Sequence, residues 1–128
     1  MPEKTPTGIL LVDDDPLILE LGRELLEHLG YRVETAGEAV HALEVFLREG
    51  ADLVILDYQL PGMDGYQMLQ ELRDLAAGVR VLVATGFLSN LDLARLQAGG
   101  VQGIIYKPFR LAELQRQIEA ALAGAPPA

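Results

Sequence analysis

Cysteine is missing altogether, so the chain has neither disulfides nor thiolate metal sites, and the absence fits a reducing compartment. Positive charge is scarce: 10 lysines and arginines stand against 19 aspartates and glutamates, a formal net charge of -9. Phosphate backbones and anionic lipid surfaces repel such a chain, which argues against direct contact with nucleic acid or membrane. No apolar run approaches the roughly 18 residues that a membrane span needs. The opening stretch, Met1 to Gly8, is polar and proline-bearing, unlike a secretory leader. Together these absences place the expected location in the cytoplasm. What is abundant is apolar mass. Half of the 128 residues are hydrophobic, enough for one domain that buries roughly two-thirds of its unfolded surface.

Five short apolar or β-branched runs punctuate the chain: Ile9 to Val12, Arg32 to Thr35, Leu53 to Leu56, Val79 to Ala84, and Val101 to Ile105. A helical pattern follows each. Asp15 can cap the first helix, with Pro16 at its first position; Ile18, Leu21, Leu25 and Leu29 form the expected core face, and Gly30 ends it. Leu17, Leu19 and Leu26 then read as surplus apolar surface, either a docking face for a partner domain or ordinary scattered leucines. The other helices are expected at Glu38 to Arg48, Gly65 to Leu75, Leu88 to Ala98 and Leu111 to Leu122. Strict strand–helix alternation with continuously apolar strands implies an α/β, doubly wound, five-stranded parallel sheet with five helices. Residues 1–7 are expected to be a disordered segment, 8–123 the domain, and 124–128 a small-residue tail or the start of a linker.

In such sheets ligands gather outside the carboxyl ends of the strands. Here those ends carry Asp13, Asp14 and Asp15 after the first run, Asp57 after the third, Thr85 after the fourth and Lys107 after the fifth. Two carboxylates about 4 Å apart repel by about 4 kcal/mol at an effective dielectric near 20. A cation relieves this, and oxygen ligands without histidine or cysteine favour a hard ion such as Mg²⁺ shared with a phosphate. Lys107 adds a second positive charge, and the Thr85 hydroxyl can donate to a phosphoryl oxygen. The set reads as a phosphoryl-transfer site. His28 and His41 lack ligand spacing and are expected in solvent, while Met63, Met68 and Phe109 are expected to fill core gaps.

Four pieces, Leu10-Leu11-Val12-Asp13-Asp14-Asp15-Pro16, Leu56-Asp57 with Leu60-Pro61-Gly62-Met63-Asp64-Gly65, Ala84-Thr85-Gly86, and Lys107-Pro108-Phe109, resemble the receiver domains of two-component response regulators. The likeness covers nearly the whole chain, with each piece at the end of its strand. It implies a CheY-like, flavodoxin-type strand order 2-1-3-4-5. It further implies Asp57 as the nucleophile that takes a phosphoryl group from a phosphohistidine, and Asp13 and Asp14 as the Mg²⁺ pair, completed by Asp57 and the Gln59 carbonyl. Thr85 and Lys107 would hold the phosphoryl oxygens, Asp15 and Asp64 would cap helices, and the Lys107–Pro108 bond would be cis. The implied partners are a histidine kinase or histidine phosphotransfer domain and a downstream protein or fused effector. Phosphorylation would switch the face formed by the fourth helix, fifth strand and fifth helix.

Two positions depart from the family. Ile104 stands where receivers usually carry an aromatic, and Tyr106, on the same strand face at another depth, is no assured substitute. Phe87, two beyond Thr85, is apolar where many members are polar, which predicts an unusual phosphoryl lifetime. Two rival functions are weighed. An aspartate-based phosphohydrolase built on Asp13-Asp14-Asp15 fits poorly, because the chain is short and the best nucleophile follows the third strand. A degenerate receiver that binds proteins without being phosphorylated is opposed by the presence of all five chemical positions.

Overall fold

The alternating strands and helices are each explained by local chemistry in the computed structural model, which describes residues 6–124. The element order is β1 (Gly8–Val12), α1 (Pro16–His28), β2 (Arg32–Ala36), α2 (Ala39–Glu49), β3 (Leu53–Asp57), β4 (Gln59–Leu60), β5 (Met63–Asp64), α3 (Gly65–Leu75), β6 (Val81–Thr85), α4 (Asn90–Ala98), β7 (Gly103–Tyr106) and α5 (Leu111–Ala123). Five strands pair in parallel in the order β2-β1-β3-β6-β7. This is the expected order, renumbered because the antiparallel pair β4–β5 intervenes. Most of the expected segment 1–7 and tail 124–128 lie outside the described residues. Of their described members, Thr7 accepts the Arg32 N–H at 2.9 Å, and the Gly124 carbonyl accepts from Arg80 Nη2 at 2.8 Å.

The inner strands β1, β3 and β6 are almost continuously apolar because alternate residues enter two different cores, whereas the edge strand β2 (Arg32-Val33-Glu34-Thr35-Ala36) buries only Val33 and Ala36. Leu10, Val12, Val54, Leu56, Val81 and Val83 meet α2, α3 and α4 on one face. Ile9, Leu11, Leu53, Ile55, Leu82 and Ile105 meet α1 and α5 on the other. Met68 lies in the first core and Met63 and Phe109 pack against the two cores, as expected of gap-fillers.

The helix starts follow their capping residues. Asp15 accepts the Leu17 N–H with Pro16 at the first position. Asp64 and Gln67 form a reciprocal capping box, and Ser89 accepts the Asp92 N–H at the start of α4. Helix α4 therefore begins at Asn90 and not at Leu88, which is buried in the preceding loop. Strands β6 and β7 likewise start two residues later than expected, at Val81 and Gly103.

One expectation is corrected. The face of α1 on the sheet is rotated by one residue: Gly22 and Leu26 are buried, with Leu19 packed against the core, while Leu21 is 47% exposed. Leu26, read as surplus surface, is 1% exposed. The cause is Gly22. A Cβ there would stand 2.5 Å from Leu11 Cδ2, so the absent side chain lets the helix press onto β1 along that line. Leu17 and Leu21 remain as the exposed apolar residues of α1.

Candidate phosphoacceptor site

The parallel strands deliver their last residues to one rim. Asp13 follows β1 and is held there by its own N–H, which donates to the Ala36 carbonyl at 3.1 Å. Its carboxylate accepts the Asp15 N–H at 2.9 Å through Oδ1 and the Lys107 Nζ at 2.7 Å through Oδ2. Asp57 ends β3, and its Oδ2 lies 3.5 Å from the same Nζ. Carboxylate oxygens of Asp13, Asp14 and Asp57 all lie within 4.8 Å of one another. Asp13 is buried, Asp57 half-buried and Asp14 exposed, so the cluster opens to solvent on one side.

Lys107 follows β7 and is fixed by its N–H donating to the Thr85 carbonyl at 2.8 Å. The Lys107–Pro108 bond is cis, as the resemblance implied. Thr85 is buried at the end of β6, and its hydroxyl donates to the Phe87 carbonyl at 3.0 Å. The structure thus brings Asp13, Asp14, Asp57 and Lys107 together, while the Thr85 hydroxyl is engaged by its own loop. Gln59 lies in β4 beside the cluster, its N–H donating to Asp57 Oδ1 at 3.4 Å. Phe87 and Tyr106 are exposed, Ile104 is partly buried against the core beneath α4, and a Cβ on Gly86 would meet nothing within 4 Å. His28 and His41 are exposed, as expected.

A simple lysine–aspartate pair lowers the acid as it raises the base. Here the two move together. Burial pushes the Asp57 carboxyl above the usual carboxylate range; the Lys107 charge opposes this and the Asp13 charge adds to it. Burial would lower the Lys107 ammonium, but its hydrogen bond and charge pairing with Asp13, with Asp57 behind, outweigh burial and raise it. The distances explain the asymmetry: the ammonium is committed to Asp13, and Asp57 is left incompletely compensated. Three oxygen-donor groups this close, one of them short of positive charge, fit a small hard cation.

A profile of the response regulator receiver domain matches residues 9–119. The chain belongs to the response regulator receiver domain family. Among curated relatives, this receiver is 35% identical over 118 residues to the probable transcriptional regulatory protein TcrX of Mycobacterium tuberculosis, covering 91% of the chain and 50% of TcrX. It is 38% identical to the transcriptional activator protein PfeR of Pseudomonas aeruginosa, covering 89% of the chain and 37% of PfeR. The receiver therefore spans half or less of these relatives' length. Among solved structures, a CheY-like receiver domain protein from Methanospirillum hungatei superposes with a TM-score of 0.88 at 31% identity, covering 92% of this chain and 94% of that one. TrrA of Thermotoga maritima, solved in complex with Mg(2+)-BeF, gives 0.81 at 31% identity, covering 91% and 99%.

Some parts of the receiver's rim had no expectation attached. Tyr58, directly after Asp57, is buried; burial, then the Asp92 carboxylate beside its hydroxyl, push its pKa up to about 12. Its run of neighbours, Leu56-Asp57-Tyr58-Gln59-Leu60, gives no periodic signal for the β4–β5 pair, which is too short to show one. Gln67 was findable, since Asp64 to Gln67 has the spacing of a capping box.

Proposed function

We propose that this receiver takes a phosphoryl group on Asp57 from the phosphohistidine of a histidine kinase or histidine phosphotransfer domain. The observation that carries the reading is the cluster itself: Asp13, Asp14 and Asp57 within 4.8 Å, with one lysine shared unequally between two of them. Asp13, Asp14, Asp57 and the Gln59 carbonyl would hold Mg²⁺. When bound, the ion supplies the positive charge that the carboxylates and the incoming phosphoryl oxygens both need.

The chain's own groups do the rest. Asp57, at the solvent-facing end of β3, attacks phosphorus; an O–P bond forms as the P–N bond breaks, and the donor imidazole leaves with the bonding pair. Lys107 Nζ, already near Asp57 Oδ2, receives a phosphoryl oxygen as a charged hydrogen-bond donor. The Thr85 hydroxyl would exchange its Phe87 carbonyl for another phosphoryl oxygen. The apolar groove beside Lys107, lined by Ile18, Leu21, Leu25, Pro108 and Phe109, is where the donor domain would rest. The added charge, about 1.5 to 2 negative units, then shifts the face of α4, β7 and α5 toward a form read by a downstream protein or fused effector, in the cytoplasm. Direct contact with nucleic acid or membrane is not part of this role; no helix among the described residues is long and apolar enough to span a membrane.

The test is intact mass after incubation with a small-molecule phosphodonor and Mg²⁺. Wild type should gain one phosphoryl group and Asp57→Asn none. No gain in wild type would favour the protein-binding module, and multiple turnovers of a phosphate ester would favour the hydrolase.

A further inference from the structure

The residues after Asp57 are held from both sides. The Tyr58 N–H donates to the Ala84 carbonyl on β6 at 3.1 Å, and the Tyr58 carbonyl accepts the Gly65 N–H at 2.6 Å. Gln59 then pairs with Asp64, and Leu60 with Met63, in the short antiparallel ladder of β4 and β5. Leu60 is buried in the core, and Gly62, at φ +78, closes the turn after Pro61 in a conformation that favours glycine. The ladder and the Tyr58 carbonyl thus both lean on the segment Met63 to Gly65.

The start of α3 fixes that segment. The Asp64 carboxylate accepts the Gln67 N–H at 2.8 Å, and the Gln67 side-chain oxygen accepts the Asp64 N–H at 2.9 Å. At Gly65 a Cβ would stand 3.0 Å from Tyr58 Cα and 3.4 Å from Leu56 Cδ1. The absent side chain lets α3 press onto the backbone one residue past Asp57, and the capping box holds it there. Gln67 is itself exposed, and its side chain reaches the cluster only through Asp64.

A carboxylate ligand can turn about its own torsions, but a backbone carbonyl points where its peptide plane points. The Gln59 carbonyl is the one backbone ligand of the proposed Mg²⁺ site, so its direction depends on what holds residues 58 to 65. We propose that Gln67 and Asp64 are positioning residues for that ligand: their capping box seats α3 against the β4–β5 ladder and so sets the Gln59 peptide beside Asp57, whose Oδ1 the Gln59 N–H faces at 3.4 Å. The inference rests on the Mg²⁺-dependent phosphoacceptor reading and names two residues that support its site without touching a reacting atom.

The experiment measures the Mg²⁺ affinity of the full chain by titration calorimetry without phosphodonor, at a temperature where every variant is folded. Phosphoryl uptake is then followed by intact mass at saturating Mg²⁺. Gln67→Ala and Asp64→Ala should each weaken Mg²⁺ binding by about tenfold, the lower end of what hydrogen bonds around a metal's ligands contribute. Once Mg²⁺ is saturating, both should take up the phosphoryl group within about twofold of wild type, because only ion binding is impaired. Asp64→Asn keeps an oxygen for the Gln67 N–H without the charge, and should bind Mg²⁺ within about threefold of wild type. Ser89→Ala removes a cap of the same kind from α4 and should leave the affinity unchanged. Unchanged Mg²⁺ affinity in Gln67→Ala overturns the inference. So does an equal loss in Ser89→Ala, which would make the effect one of general loosening, or in Asp64→Asn, which would make it one of charge. A wild type that binds no Mg²⁺ overturns both the inference and the site it rests on, whereas one that binds Mg²⁺ and gains no phosphoryl group overturns the phosphoacceptor reading alone.

Discussion

At the rim where the strands begin, charge is used to close off backbone groups. The Gly8 N–H donates to Asp52 at 2.8 Å, Arg80 reaches the Gly124 carbonyl, and Arg73 gathers the carbonyls of Val79, Gly99 and Gly100. At the rim where the strands end, three carboxylates crowd around a single ammonium that serves one of them well and another poorly. The first arrangement satisfies polar groups that no helix or strand satisfies. The second holds like charges together at a cost in stability, which fits the proposed phosphoacceptor role. Two rims of one sheet thus separate what stabilises the receiver from what it uses.

The sharpest way to break that contrast is Asp57→Asn. Phosphoryl uptake should be lost completely, yet the protein should gain about 1 kcal/mol by shedding an under-compensated carboxylate, a rise of about 4 °C in melting temperature. A variant that is both inactive and less stable would place Asp57 with the structural charges.

Arg73→Ala should do the reverse. Three carbonyls lose their donor in a partly buried position, so the loss should be about 3 kcal/mol by urea unfolding, with phosphoryl uptake by the folded protein unchanged.

The pH dependence sharpens the comparison further. Because burial raises the Asp57 pKa in the folded state, ionising it costs stability, and the cost grows as pH rises from the ordinary carboxylate value through the raised folded one. The advantage of Asp57→Asn should therefore be full at neutral pH and vanish in acid. Lys107 runs the other way: its raised pKa means its contribution is present below the ordinary lysine value and lost as pH rises through the folded one. Wild type should lose more stability than Lys107→Met in that alkaline window. The smallest effect is expected at Phe87, 77% exposed beside the site. Phe87→Ser should change stability by less than about 0.5 kcal/mol while changing the decay rate of the phosphorylated protein.

Much of this was legible in the residues, for identifiable reasons. Strand-end acids, a proline after a capping aspartate and glycines past helix ends are local signals, and the helix count follows from them; the strand order was implied by the resemblance to receiver domains. The core face of α1 was misread because leucines surround that helix; Gly22, the one position without a side chain, marked the true face. Arg73 and Tyr58 could not be read at all. The carbonyls that Arg73 gathers and the core that buries Tyr58 are brought together only by tertiary packing, and neither residue type at those positions has a periodic or spacing signature.

The central claim is that the strand-end carboxylates await positive charge. It is tested most directly by melting the receiver with and without Mg²⁺, in wild type and in Asp14→Ala. At ten times its dissociation constant, a bound ion should stabilise wild type by about 1.4 kcal/mol, and Asp14→Ala should lose most of that gain. Equal shifts in both proteins, or none in wild type, would contradict it.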